Sequence, residues 1–597
     1  MNTKIWLIIL TLFIFVGGLN ASTYYVSPSG NDSHTNTQAQ LFKAPWRTIS
    51  KAVREVQAGD SIVIAEGVYI EEPIMFKNSG TASKWITLTN APGAKPILKK
   101  MGELRGIYIY KNSFIHINGL TLCEFDNDGI SIFYSDYIIC TNIHAYNNGN
   151  AGVEVVDSDH ILIQDCVLHH NGWNAQSGWG DGISINNHQA AGNVSITRRN
   201  VCFANWQTNG QHGDGNGFTL DAAGTQGLHL VSNNIFFNNG GDGLLAGNTG
   251  NMRIVHNVFY RNGVDPEDKT KIELKLAGSV TANTILKNNI IYSRRDGWTI
   301  YRYDGADEAN IMNNYVWGDE GTSTKMFWFK TTNVGDWIES RAPESLVGEI
   351  GFVAAVHDNK FTSLYGEQWI DMNIDDYDFN LEAGSQCVDA GTFLTKTTTR
   401  GSGNKVQVED AGYFSDGFGK IEGDYIKVGS NRLVKILIVD YNTNIITIDS
   451  NISWNNGEDV HFPFCGTTPD VGASESNLDL PLTGVITSSD PSPVKAGLIT
   501  VTLTTSKKVI KNPGPIFFVE NDSTFNVIKL SGDVPGDSFS GNFNIDSTVT
   551  EGMGSFVLEK YSLIDETGNM GNTIIHGKLL KVDRTEPAIP KAVYVDE

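Results

Sequence analysis

Between residues 105 and 320 the chain repeats one phrase with small changes. NDGISIFYSDYIICTNIHAYNNG ends at Gly149, and NAGVEVVDSDHILIQDCVLHHNG ends at Gly172. GDGISINNHQAAGNVSITRRNVCFANW, GNGFTLDAAGTQGLHLVSNNIFFNNG and GDGLLAGNTGNMRIVHNVFYRNG follow, with looser copies in IELKLAGSVTANTILKNNIIYSR and RDGWTIYRYDGADEANIMNNYVWGD. Each copy holds short alternating apolar runs divided by Gly, Asn and Asp, which are strand and turn signals rather than helical ones. One copy cannot bury its apolar face, but stacked copies can, each strand pairing with its counterpart in the next coil. Three strands per coil predict an all-β chain built on a right-handed parallel β-helix, a solenoid of single coils. Asn142, Asp165, Asn200, Asn234, Asn257, Asn289 and Asn314 stand just before the third strand of their copies. Amide side chains stacked at an inward bend can bond to the copies above and below, so this column is expected to be structural.

Outside the repeats the chain divides further. Thr23 to Ser27 reads as a strand and Ile49 to Val56 as a short helix, suited to capping the open end of a solenoid. TYYVSPSGNDS, PWRTISKAV and AGDSIVIAEGVYIEE resemble the entry of secreted right-handed β-helix proteins of the pectate-lyase-like fold, polysaccharide lyases among them. With the Gly/Asn repeats the resemblance covers residues 22–395. GSQCVDAGT and Thr468 to Ala473 look like the two halves of such a solenoid's ending, split by an insert. We therefore expect a β-helix with its cap over 22–396, an inserted small β-barrel over 397–464, and the end of the helix with a linker over 465–481. The Thr- and Ser-rich stretch 482–585 resembles an immunoglobulin-like sandwich, and 586–597 a linker or tail.

Lys4, the apolar run Ile5 to Val16 and the small residues up to Ala21 have the grammar of a signal peptide over 1–21. The expected location is secreted or cell surface, with no transmembrane segment after cleavage and a monomeric chain. Forty-four basic against 67 acidic residues leave a net charge of −23, which argues against nucleic acid as a partner. An acidic polysaccharide would then need calcium or a local basic groove. Cys123, Cys140, Cys166 and Cys202 lie within repeats and read as core thiols. Cys387 and Cys465 bracket the insert and are expected to form a disulfide.

Chemistry is sought at the coil openings. Asp128, Asp181, Asn216, Asp242 and Asp296 precede or neighbour the opening Gly of successive copies, Ala151 breaks the series, and alignment places Glu273 in it. Asp-Gly and Asn-Gly are favoured turn pairs, which explains the column without function. Stacked about 4.8 Å apart, like-charged carboxylates would also attract a cation, and calcium takes several carboxylate oxygens. Asp214-Gly215-Asn216-Gly217-Phe218, Gly241-Asp242-Gly243-Leu244-Leu245 and Lys275-Leu276-Ala277-Gly278 are similar in order and spacing to motifs of polysaccharide lyase family nine. That family consists of calcium-dependent pectate lyases with a lysine base. The resemblance implies calcium at Asp214 and Asp242 and a catalytic base at Lys275. The pattern departs where Gly241 and Leu245 replace two further aspartates.

Other polar and aromatic residues gather nearby. His169, His170, His188 and His212 fall at coil edges; Trp173, Trp179 and Trp206 sit in long loops, suited to stacking on sugar rings or to pinning the loops. Arg294, Arg295 and Arg302 could bind a sugar carboxylate. The expected partner is an extracellular polysaccharide containing uronate, cleaved by a calcium-assisted lyase. The alternatives are a non-catalytic glycan-binding or adhesive protein, and a glycoside hydrolase using paired carboxylates such as Asp214 and Asp242.

Overall fold

The computed structural model describes residues 21–584, excepting 92, 101–104, 174–179, 187–191, 208–213, 266–270, 279–282, 295–296, 303–309, 320–324, 330–345, 348–351, 355–377, 383–384, 432, 465, 476–481, 490–493, 520–524, 559–561 and 566–569. The signal segment, Trp179, His188, His212, Arg295, Asp296 and Cys465 lie outside the described residues.

Three parallel sheets of eleven, ten and eleven strands form a β-helix. Pairing follows the repeat: Ile130 faces Ile107 on one side and Val153 on the other, and the ladder continues through Ile183, Phe218, Leu244, Leu274 and Ile300. All of these inward side chains are buried. They belong to one core that runs through the solenoid from Tyr24 to Ile311. The helix Ile49–Glu55, N-capped by Thr48, buries Ile49, Ala52 and Val53 at the start of this core.

The Asn residues before the third strands resolve into two columns. Asn142, Asp165, Arg199, Asn233, His256, Asn288 and Asn313 occupy equivalent left-handed positions, with φ between 51° and 57°. Asn, Asp and His tolerate that conformation better than most residues. The following residue points inward: Ile143 and Cys166 first, then Asn200, Asn234, Asn257, Asn289 and Asn314. Those five amides form a ladder with Nδ2–Oδ1 distances of 2.8–3.0 Å. Asn142 and Asp165 belong to the first column, one residue from the ladder where the sequence alignment placed them.

A second ladder occupies the ends of the repeats, Asn-Gly in every member but Asn205-Trp206. Asn148, Asn171, Asn205, Asn239 and Asn262 are bonded in series at 2.8–2.9 Å. Glu273 terminates it, accepting Asn262 Nδ2 at 2.7 Å. Glu273 pairs across from Gly243, since Leu244 faces Leu274. It therefore stands outside the aspartate column in which the alignment had placed it. Burial pushes its carboxyl up to about 8, against the bonds from Asn262, which favour the charged form.

The insert is an antiparallel six-stranded sheet, from Thr395–Lys396 to Asp459–His461, closed by the Thr397–Val408 bridge. It packs on the outer face of the first β-helix sheet, where Ile139, Leu162, Ile196, Leu230 and Val255 join its core. Arg198 and Asp424 form a buried ion pair across this junction, and Arg253 meets Asp410 at 2.6 Å. Beyond it, two four-stranded sheets share a core including Leu503, Phe517, Phe539 and Phe556.

Cys387 is a free thiol rather than half of the expected bridge. It is buried beside Phe379, Leu381 and Val471 against the third β-helix sheet, where burial pushes it up to about 12. Cys123, Cys140, Cys166 and Cys202 are buried thiols, as their place in the repeats implied.

Candidate active site

The ten-stranded sheet carries the acidic coil openings at its edge, and their first task is structural. Asp128 Oδ1 accepts the Ala151 amide of the next coil at 3.2 Å, and Oδ2 accepts the Ser131 hydroxyl at 2.6 Å. Asp181 Oδ1 accepts the amides of Gly215 and Asn216 at 3.2 and 2.7 Å. Asn216 Oδ1 accepts the Asp242 amide at 2.6 Å. Each side chain thus satisfies backbone donors of the turn above it, which a buried turn requires. Close stacking makes the column acidic and dry. Burial and neighbouring Asp214 push Asp181 up to about 8, and burial with Asp128 pushes Glu154 up to about 9.

The next rung differs. Lys275, on the outer face of strand Ile272–Ala277, places Nζ 3.4 Å from Asp242 Oδ2. Asp242 is 2% exposed and the lysine side chain 22%, so the pair sits at the floor of the surface with one side open to solvent. Asp214 joins them electrostatically: burial raises its carboxyl to about 6, the Lys275 charge opposes the rise and Asp221 adds to it. The structure therefore brings together the three residues singled out by motif order.

Among the described residues the donor set does not fit calcium. A Cβ at Gly241 would stand 2.4 Å from Asn216 Oδ1 and 3.0 Å from the Asp214 carbonyl oxygen, so the aspartate that the resemblance would place there would displace Asn216 Oδ1 from the Asp242 amide and crowd the Asp214 backbone. Leu245 holds the other position, pairing between Thr219 and Lys275. Among the described residues no group of three or more His, Cys, Asp or Glu side chains is arranged to hold a metal ion. Asp181, Asp214, Asp221 and Asp242 lie near one another, but no three of them converge on one point as the six to eight oxygens of a calcium site require.

The remaining candidates disperse. Trp206 is buried, its ring against Gly240, so it pins the coil instead of offering a sugar platform. Trp173 is 39% exposed and donates its indole N–H to the Asn147 carbonyl at 2.7 Å. Arg294 Nη1 donates to the Gly263 carbonyl at 2.7 Å, which ties it to the backbone. Arg302 ends the strand Trp298–Arg302, and its side chain is outside the described set. His169 lies on the third sheet, against His144 and His170 at 2.8 and 2.6 Å. Burial, then His170 and His144, hold it down to about 2.

Residues 24–202 match the family described as Pel9A-like, right-handed beta helix region. Asp214, Asp242 and Lys275 lie beyond the matched segment. The uncharacterized protein YwoF of Bacillus subtilis (strain 168) is 32% identical over 104 residues, which are 16% of this chain and 21% of that protein. The chain thus matches about a fifth of that relative's length. Among solved structures, pectate lyase Pel9A is 17% identical with a TM-score of 0.42, covering 77% of this chain and 98% of its own. A rhamnogalacturonan lyase is 15% identical with a TM-score of 0.45, covering 61% and 97%. In fold the chain resembles the right-handed β-helix of the Pel9A-like family. Among the described residues no helix is long and apolar enough to cross a membrane.

Proposed function

We propose that the chain is exported and cleaves a uronate-containing polysaccharide by β-elimination at the Lys275 cluster. The observation that carries this reading is the 3.4 Å contact between the partly exposed Lys275 Nζ and the buried Asp242 carboxylate on the outer face of the ten-stranded sheet. A sugar ring laid over the pair excludes water, and a dry site disfavours separated charges. The ammonium proton then passes to Asp242, leaving an amine at Nζ. That amine takes the C5 proton of the uronate, C4 and C5 become doubly bonded, and the C4–O4 bond breaks. The departing O4 collects the proton held by Asp242, and Lys275 ends as an ammonium again. Asp214, raised by burial to about 6, is protonated below that pH and there donates a hydrogen bond to the uronate carboxylate, easing the loss of the C5 proton. No step is routed through calcium.

Lys275→Ala and Asp242→Asn should each lower the rate of unsaturated-end formation by about a thousandfold, within the range of lost acid–base catalysis. Both proteins should keep the wild-type melting temperature to within a few degrees. Activity that survives Lys275→Ala contradicts the assignment. A second reading, glycan binding without catalysis, draws on Gly241 and Leu245, which stand where the resemblance would place carboxylates. Under it the wild-type chain binds uronate polymers and leaves their reducing ends unchanged.

A further inference from the structure

The outer face of the ten-stranded sheet changes character toward its N-terminal coils. Tyr108 and Tyr110, on strand Ile107–Tyr110, meet Phe133 and Tyr134 of the next coil. Ring centroids are 5.6 Å apart for Tyr108–Tyr110 and Tyr108–Phe133, and 5.7 Å for Tyr110–Tyr134. Tyr110 is 40% and Tyr134 53% exposed. Two cations lie over these rings. Arg105 Cζ is 5.4 Å from the Tyr108 centroid and 5.3 Å from that of Phe133, while exposed Lys111 places Nζ 5.0 Å from Tyr110 and 6.0 Å from Tyr134. Arg105 also meets Asp128 at 3.3 Å. In a chain of net charge −23 this is a local meeting of rings and positive charge on an open surface.

We propose that this patch is a distal subsite, holding a uronate-bearing stretch of the polysaccharide that runs along the sheet to Lys275. The inference rests on the reading of the Lys275 cluster as a site for acidic polysaccharide, and it adds where the rest of the polymer lies. Sugar rings present C–H faces that suit aromatic side chains, and their carboxylates suit Lys111 and Arg105. Strand pairing sets the distance: Tyr108, Ser131, Glu154, Ser184, Thr219, Leu245 and Lys275 occupy successive rungs of one column. Six rungs at about 4.8 Å put the patch about 29 Å from the lysine. Ser131, Glu154, Ser184 and Thr219 of that column are buried, so the polymer's path lies over the neighbouring outward column, where Phe133, Val156, Asn186 and Asp221 are partly exposed.

The test is affinity electrophoresis of the full chain through gels containing polygalacturonate or alginate, with dextran as the neutral reference. A Tyr110→Ala, Lys111→Asn, Tyr134→Asn variant removes the patch; Asn is used at 111 and 134 because their φ values are 56° and 53°. Retardation of the wild type by at least one uronate polymer and not by dextran is expected, with affinity reduced about tenfold in the variant at unchanged melting temperature. Lys275→Ala should be retarded like the wild type, so loss of cleavage and loss of the subsite are read separately. A patch variant retarded as strongly as the wild type, or a wild type retarded by neither polymer, overturns the subsite whatever the fate of the lysine. A wild-type dimer that the same substitutions dissociate assigns the patch to a second copy of the chain and also overturns it.

Discussion

Neighbouring asparagines in this chain do different work. Asn234 is buried in a ladder, donating to Thr197 O at 2.8 Å and to Asn257 Oδ1 at 2.9 Å. Asn142 takes the left-handed bend on the surface and bonds to Asn118 at 2.8 Å. Asn234→Ala leaves buried donors and acceptors unmade and should cost about 2–3 kcal/mol, whereas Asn142→Ala should cost about 1 kcal/mol, mainly through φ; urea unfolding of both variants checks the difference. Glu273 gives a pH signature. Its unfolded carboxyl titrates near 4.3 and its folded one at about 8. Between those values the folded state holds a proton that the unfolded state has lost, so its contribution to stability is full below about pH 4 and declines as pH rises toward 8. Glu273→Gln should flatten that part of the melting-temperature profile and leave the variant relatively more stable at pH 8 than at pH 4. Equal profiles would mean that Glu273 is ionised in the folded chain. The sequence shows that Asn recurs at the bend, but not which Asn turns inward. A one-residue offset between copies changes a side chain's face, and only the strand register fixes it. The second ladder was hidden by Asn-Gly, which reads as turn chemistry alone.

At the scale of elements, the coil repeat was readable because apolar alternation and turn residues recur together. The closed insert was readable as compact strands, but its docking face was not. That face depends on outward residues of the first sheet, Ile139, Leu162 and Ile196, which look like ordinary strand residues in the sequence. Arg198 and Asp424 are 226 residues apart and join only through this packing. Asp424→Asn strands a buried guanidinium and should destabilise the chain by about 3 kcal/mol, seen as a lower urea midpoint. The Asp214, Asp242 and Lys275 motif order was informative because the strand register sets the three motifs on successive coils. Closeness of turns matters as much as residue type for a calcium donor set: Asn216 Oδ1 and the Asp214 carbonyl crowd the space at Gly241. Gly241→Asp should therefore lower the melting temperature equally with calcium and with chelator. A calcium-dependent recovery would contradict the fit argument.

The whole molecule is a solenoid whose three faces are used differently. The insert covers part of the first sheet, the segment around Phe379, Cys387 and Val471 covers part of the third, and the ten-stranded sheet bears the acidic column, Lys275 and the exposed tyrosines. Under the proposed function, this face with its lysine and ring-bound cations is where a long anionic polymer would lie. The most direct test follows the ultraviolet absorbance of unsaturated uronate ends when the full chain is incubated with polygalacturonate, alginate, ulvan and glycosaminoglycans, in chelator and in calcium, beside Lys275→Ala. The account predicts absorbance growth on one polymer, present in chelator and lost in the variant. No growth on any polymer with unchanged reducing ends, or growth that persists without Lys275, would contradict it.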